Sequence, residues 1–187
     1  AMANARRVVQ HCLDHAPRPV PPDSVVLIAV SGGPDSLALA VAASFVVPRA
    51  GPRVEAVIVD HGLQSGSGEI AAAAARTVES FGITAHVVTV DVDDSGNIEA
   101  RAREARYEAL NRIADQRGAA AILLGHTLDD QAETVLLGLT RGSGPASIQG
   151  MDEYSGRYWR PFLGLTRQET HAVCEDAGVT WWDDPHN

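Results

Sequence analysis

The sequence predicts an α/β fold, a doubly wound and mainly parallel sheet with helices on both faces. Three observations carry this. Short runs rich in Val, Ile and Ala alternate with longer segments of helical composition. Each run stops at a small group of Gly, Asp or Ser. The first run, Val25 to Val30, passes through Ser31-Gly32-Gly33-Pro34-Asp35-Ser36 directly into a helical pattern. At 187 residues and 45% hydrophobic content, the chain suits one domain with a sizeable core, spanning 1–187.

In order, residues 4–15 read as a short helix that Pro17 to Pro22 break. The strand at 25–30 leads through the glycine turn to a helix ending near Val47, and Pro48 to Arg53 is a connection. A second strand covers 54–59 and ends in Asp60-His61-Gly62. After a Gly/Ser loop, 69–81 is alanine-rich and helical, with Gly82 in the terminal position. A third strand covers 83–90, and Asp91 to Gly96 is an acidic loop. Asn97 caps a long helix to about Arg117, closed by Gly118. A fourth strand at 120–124 turns at Gly125 to Asp129 into a helix through Leu139. Arg141 to Gly144 is a polar glycine loop, and 166–177 is the final helix.

Composition restricts the partners. The formal net charge is −9, and all 15 basic residues are Arg. A grip on nucleic acid depends on neutralising phosphates, so a polynucleotide would have to be held mainly elsewhere or by a local Arg patch. No apolar run reaches the ~20 residues of a membrane span, and no signal-peptide layout opens the chain. Cys12 and Cys174 form neither a CxxC pair nor a metal knuckle. These features point to the cytoplasm.

Ligands of doubly wound sheets bind at the carboxyl ends of the strands. That rule gathers Ser31–Ser36, Asp60–Gly62, Asp91–Gly96 and Gly125–Asp130 on one rim. The first of these has the makings of a phosphate cradle. Backbone N–H groups after Ser31 converge at a helix N-terminus, Gly32 and Gly33 let a ligand approach, and Pro34 fits the first helical turn. Ser31 and Ser36 add hydroxyls, and Asp35 adds a carboxylate able to meet a metal ion. A Walker loop is excluded, because it requires a lysine and the chain has none.

Other motifs have two readings each. Asp60 and His61 either finish a strand or flank an adenosine. Arg103 and Arg106 share a helix face and suit an α-phosphate or an RNA backbone, or they are solvated and paired with residues such as Glu99. In Gly125-His126-Thr127-Leu128-Asp129-Asp130-Gln131-Ala132-Glu133-Thr134, the carboxylates can cap the helix or hold Mg²⁺ or an ammonium group. His126 with Asp130 is weak spacing for zinc, and no Cys or second His completes such a site. Arg141 sits in an anion loop or a hinge. Trp159, Trp181 and Trp182 read as core and cover.

SGGPDS is similar to the SGGxDS signature of the ATP pyrophosphatase, or PP-loop, enzymes. With VDHG, EARAREARY, GHTLDDQAET, TRGSG and WWDDPHN, in that order, the chain resembles the catalytic N-terminal domain of the tRNA(Ile)-lysidine synthetase family. Pro185-His186-Asn187 departs slightly, lacking the Ser that many relatives have before the Asn. The resemblance implies a PP-loop fold and a ligase that forms a carbon–nitrogen bond. The wobble cytidine of tRNA(Ile) with a CAU anticodon is adenylated by ATP, then attacked by the side-chain amine of free L-lysine, releasing AMP and pyrophosphate. It implies ATP contacts at Ser31, Gly32, Gly33, Pro34, Asp35, Ser36, Asp60 and His61. Catalytic roles fall to Asp35, Arg103, His126, Asp130 and Glu133, with Arg103 and His126 neutralising the α-phosphate and the cytidine adduct. Lysine and tRNA contacts fall to Arg106, Asp129, Asp130, Glu133 and Arg141, and Mg²⁺ to Asp35 and Asp130. The tRNA-holding domains of the family are expected to lie outside this chain. The oligomeric state stays open, a dimer being one option.

The competing expectations are a sulfur-inserting tRNA enzyme or an amidating synthetase of the same superfamily, and a nucleotide-binding module without turnover. Sulfur insertion usually needs paired or reactive cysteines, which the contexts of Cys12 and Cys174 do not offer.

Overall fold

In a computed structural model of the chain, residues 1–62, 66–91, 97–140 and 150–182 are described. The elements run α1 (Met2–Asp14), β1 (Val25–Val30), α2 (Pro34–Ala50), β2 (Arg53–Asp60), α3 (Ser67–Ser80), β3 (Thr84–Thr89), α4 (Ile98–Arg117), β4 (Ala119–Leu123), α5 (Leu128–Thr140), β5 (Tyr154–Ser155), β6 (Tyr158–Trp159) and α6 (Arg167–Asp176). The strands form one sheet in the order β3-β2-β1-β4-β6-β5. Strands β1 to β4 pair in parallel, β6 joins β4 in parallel, and only β5 runs antiparallel. This is the predicted doubly wound architecture.

The alternation of β1 shows how its sequence builds two layers, since successive side chains point to opposite faces. Val26, Ile28 and Val30 pack with α1, α2, α3 and α6 residues such as Val9, Leu39, Val78 and Val173. Val25, Leu27 and Ala29 pack with Ala109, Leu110 and Ala114 of α4. All six β1 residues are buried, as a central parallel strand requires. Trp159 is fully buried in the first of these clusters.

Helix ends follow the predicted chemistry. The Asn97 side chain accepts from Ala100 N at 3.2 Å, and Gly118 closes α4 in the left-handed region. Thr166 and Glu169 form a reciprocal capping box at the start of α6. Two expectations differ. Helix α2 carries on past Val47 to Ala50 with Pro48 in its last turn, because a proline there costs one backbone bond and its fixed φ still suits a helix. The hairpin β5–β6 was not anticipated. Each strand has two residues, too few for a readable period.

Candidate active site

The loop after β1 is held from within. Ser36 Oγ accepts from Ser31 N at 3.1 Å and donates to Gly33 O at 3.0 Å. Ser36 is therefore a buried brace of the turn. Gly32 has φ +89°, a conformation that favours glycine, whereas Gly33 is extended and precedes Pro34 at the helix start. Gly125, just after β4, lies so close that a Cβ on it would sit 3.1 Å from backbone atoms of Asp35 and Ser36. A glycine there lets the end of β4 press against the first turn of α2.

Beside this loop opens a cleft of about 580 Å³ at the carboxyl ends of β1 and β2. Ser31, Gly33, Pro34 and Asp35 line one side, Asp60 and His61 another, and Arg106, Arg167, His171 and Trp182 complete it. Trp182 N donates to Gly32 O at 3.2 Å, so the tryptophan covers the loop as anticipated. The rings of His171 and Trp181 lie 5.1 Å apart beside it.

Arg106 lines the cleft, and Arg103 does not. The Arg103 guanidinium sits 5.2 Å from the Tyr107 ring on the exposed side of α4. The pair sharing a helix face is thus divided between cleft and rim. Burial, and then Arg103, lower the pKa of Arg106, though it stays cationic. Burial also lowers the pKa of His61, with Arg106 adding to the effect. His126 is pushed down to about 4 by burial and then by Arg160. Among the described residues, Nδ1 of each histidine is buried without a hydrogen-bond partner. At neutral pH His126 is an uncharged imidazole, so it offers a hydrogen bond where a positive charge was expected.

The carboxylates meet around Arg167, the first residue of α6. Its Nη1 lies 3.0 Å from Glu133 Oε1, its Nη2 2.9 Å from Asp130 Oδ1, and its Nε 4.0 Å from Asp35 Oδ2. Its backbone N donates to Asp129 Oδ2 at 2.8 Å. Asp130 Oδ2 accepts from both N and Oγ1 of Thr127, at 2.7 and 3.0 Å, so Asp130 does cap α5 as well as face the cluster. Thr170 donates to Asp35 Oδ1. The Asp35 carboxyl is raised above its usual range, first by burial and then by the charge of Asp130, against the pull of Thr170 and Arg167.

Asp35, Asp129, Asp130 and Glu133 therefore share one locality. Arg167, Thr170 and His171 belong to it and were missed. One local signal for Arg167 existed: an arginine in the first turn of a helix opposes the dipole, so it must answer to something outside the helix. Arg141 lies outside the described residues, as do residues 92–96 of the acidic loop and 183–187 of the terminal motif.

The residues suit Mg²⁺ in a limited way. Among the described residues no group of three or more His, Cys, Asp or Glu is placed to hold a metal. Asp35 lines the cleft, and a cation held jointly with phosphate oxygens fits a carboxylate donor there. Asp130 is engaged by Thr127 and Arg167 on its two oxygens, and Asp35 by Thr170 on one oxygen with Arg167 4.0 Å from the other.

Among the described residues no helix is long and apolar enough to cross a membrane. The chain is 56% identical over 178 residues to a tRNA(Ile)-lysidine synthase of Leifsonia xyli, covering 93% of the chain and 54% of that protein. It is 51% identical over 181 residues to one of Thermobifida fusca, covering 96% of the chain and 56% of the relative. It thus spans about half the length of these relatives. Among solved structures, the U34-tRNA thiolase NcsA of Methanococcus maripaludis superposes with a TM-score of 0.80 at 19% identity, over 100% of this chain and 68% of that one. The NMN synthetase of Francisella tularensis superposes at 0.62 and 15% identity, over 96% and 72%. At such identities these two share the fold and nothing further is carried over. The PP-loop domain family matches residues 3–187, and with the glycine loop, the cleft and this parallel sheet in place, the chain belongs to the PP-loop domain family.

Proposed function

We propose that this chain is the catalytic domain of a cytoplasmic tRNA(Ile)-lysidine synthetase, joining L-lysine to the wobble cytidine of a CAU-anticodon tRNA(Ile) at the expense of ATP. One observation carries the reading: the loop that seats phosphate and the acidic first turns of α5 face each other through Arg167, 4.0 Å from Asp35 and 3.0 Å from Glu133. Identity of 51–56% to lysidine synthases over nearly all of the chain supports it.

In this reading the triphosphate lies along Ser31 and Gly33, where the Ser31 hydroxyl and the Gly33 amide stabilise charge developing on departing pyrophosphate. Adenosine lies toward Asp60 and His61. Arg106, desolvated and lining the cleft, faces the α-phosphate with a bidentate fork. Arg103, one turn away on the exposed side, meets the tRNA backbone. Neutral His126 donates a hydrogen bond to the oxygen being adenylated. Asp130 and Glu133 hold the lysine ammonium. That group has an ordinary pKa of ~10.4, so the amine must give up a proton before it attacks. Glu133, the more exposed of the two, is the acceptor. Asp35 would hold Mg²⁺, which would supply charge neutralisation on the phosphates. Most of the tRNA grip comes from chain beyond this domain, in keeping with the net charge of −9.

Sulfur insertion fits poorly, because Cys12 and Cys174 are buried and burial pushes both thiols up to about 12. The test is incorporation of labelled lysine into tRNA(Ile) by the full-length protein. Asp35→Ala and Glu133→Ala should each abolish it, and full activity in both would overturn the assignment. This chain alone should bind ATP with Mg²⁺ yet hold tRNA weakly. Tight, salt-sensitive tRNA binding would contradict that division of labour.

A further inference from the structure

Arg167 stands where a substrate cation is to be held. Two of its nitrogens contact Glu133 and Asp130 at 3.0 and 2.9 Å, and the third lies 4.0 Å from Asp35. Its main chain is fixed by the Thr166–Glu169 capping box and by the bond from its N–H to Asp129. Its side chain is not fixed in the same way. It is 34% exposed and lines the cleft shared with Ser31 and Asp35. The helix dipole at this first turn is unfavourable to a cation, so the carboxylates hold the guanidinium in place. A triphosphate seated on the loop brings phosphate oxygens into the same cleft, and these are strong bidentate partners for arginine.

We propose that Arg167 is a nucleotide-operated occupant of the amine seat. Without ATP its guanidinium fills the space between Glu133 and Asp130. When the triphosphate binds, the guanidinium turns on its anchored backbone to the phosphates, and the two carboxylates are released to the incoming amine. Nucleotide therefore binds first and lysine second, so a lysine seat is formed only where ATP is already present. This rests on the reading that Asp130 and Glu133 receive the lysine ammonium.

The experiment measures equilibrium binding of labelled L-lysine to this chain, with and without Mg²⁺ and an α,β-methylene ATP analogue. In the wild type the analogue should tighten lysine binding by about tenfold, an ordinary size for coupled sites. Arg167→Gln should bind lysine tightly without the analogue, lose most of the gain on adding it, and bind the analogue itself more weakly. Arg167→Lys, which keeps the charge but not the fork, should fall between, and thermal melting establishes that both variants are folded. Weaker lysine binding by Arg167→Gln in both states, or an undiminished gain, would overturn the proposal while leaving the seat in place. Absence of lysine binding by the wild type in every state would remove the seat itself, and the proposed function with it.

Discussion

Thr170 on α6 donates a hydrogen bond to the Asp35 carboxylate on α2, tying the last helix to the loop after the first strand. The donor is fully buried, and its single hydroxyl hydrogen is shared with Arg167 O, 2.8 Å away. Position and ionisation of Asp35 thus depend on a residue 135 positions away in the chain.

Thr170→Val removes a bond that favours the charged form of Asp35, whose pKa is already raised by burial. If the proposed function holds, the acid limb of lysine-dependent pyrophosphate release by the full-length protein should move to higher pH; stability should fall by about 1–2 kcal/mol. Thr170→Ser should restore both. A pH–rate profile with a denaturant titration checks this, and an unmoved acid limb in the valine variant would count against the coupling.

Gly125→Ala places a methyl group 3.1 Å from the backbone of Asp35 and Ser36. That backbone belongs to the start of α2 and cannot yield as a side-chain tip can. The expected outcome is a loss of roughly 1–3 kcal/mol in stability and weaker ATP binding, because the loop amides are displaced. Calorimetric titration with ATP and Mg²⁺ measures the second effect.

His126 should make folding stability depend on mildly acid pH. Its pKa is lowered to about 4 in the folded chain, so the unfolded chain binds the proton first. The contribution is fully present above the unfolded value of ~6.5 and is lost as pH falls toward 4, with an upper bound of roughly 3–4 kcal/mol. Chemical unfolding of wild type and His126→Phe across that range should show a slope that the variant lacks.

Glu55 lies buried on β2 and accepts from Arg117 at 2.9 and 2.7 Å, with His86 Nε2 at 2.7 Å. The Arg117 bond is the main cause of its lowered pKa. Glu55→Gln keeps the shape but removes the charge, and should cost about 2–3 kcal/mol, less than a fully buried pair because Arg117 is partly exposed. The stabilisation by Glu55 should be present above its ordinary carboxylate pKa and fade as pH falls through the lowered folded value. Thermal melts at pH 7 and pH 3 should therefore differ less in the variant than in the wild type.

Features set by neighbours in the chain were legible from sequence. The alternation in β1, the positive φ of Gly32, the Asn97 cap and the acidic turn opening α5 each depend on residues a few positions apart. Roles set by tertiary partners were not. Ser36 and Ser31 look equivalent in the motif, yet only the folded turn buries Ser36 and leaves Ser31 lining the cleft. Arg103 and Arg106 have the same helical context, and it is the packing of α4 against β1 and β2 that sends Arg106 to the cleft. Arg167 acquires its meaning from carboxylates more than thirty residues upstream. The two-residue strands β5 and β6 are defined by their partners, not by composition.

Helices α2, α5 and α6 all begin at the rim where Asp35, Asp130 and Arg167 meet. Three positive helix ends pool there inside a molecule whose overall charge is −9. A nucleotide therefore travels inward against a repulsive far field and is captured by an attractive near one. Salt screens the first over about 10 Å and barely reaches the second. Raising ionic strength from very low values should hasten arrival of the triphosphate, the reverse of what a basic nucleotide-binding protein would display.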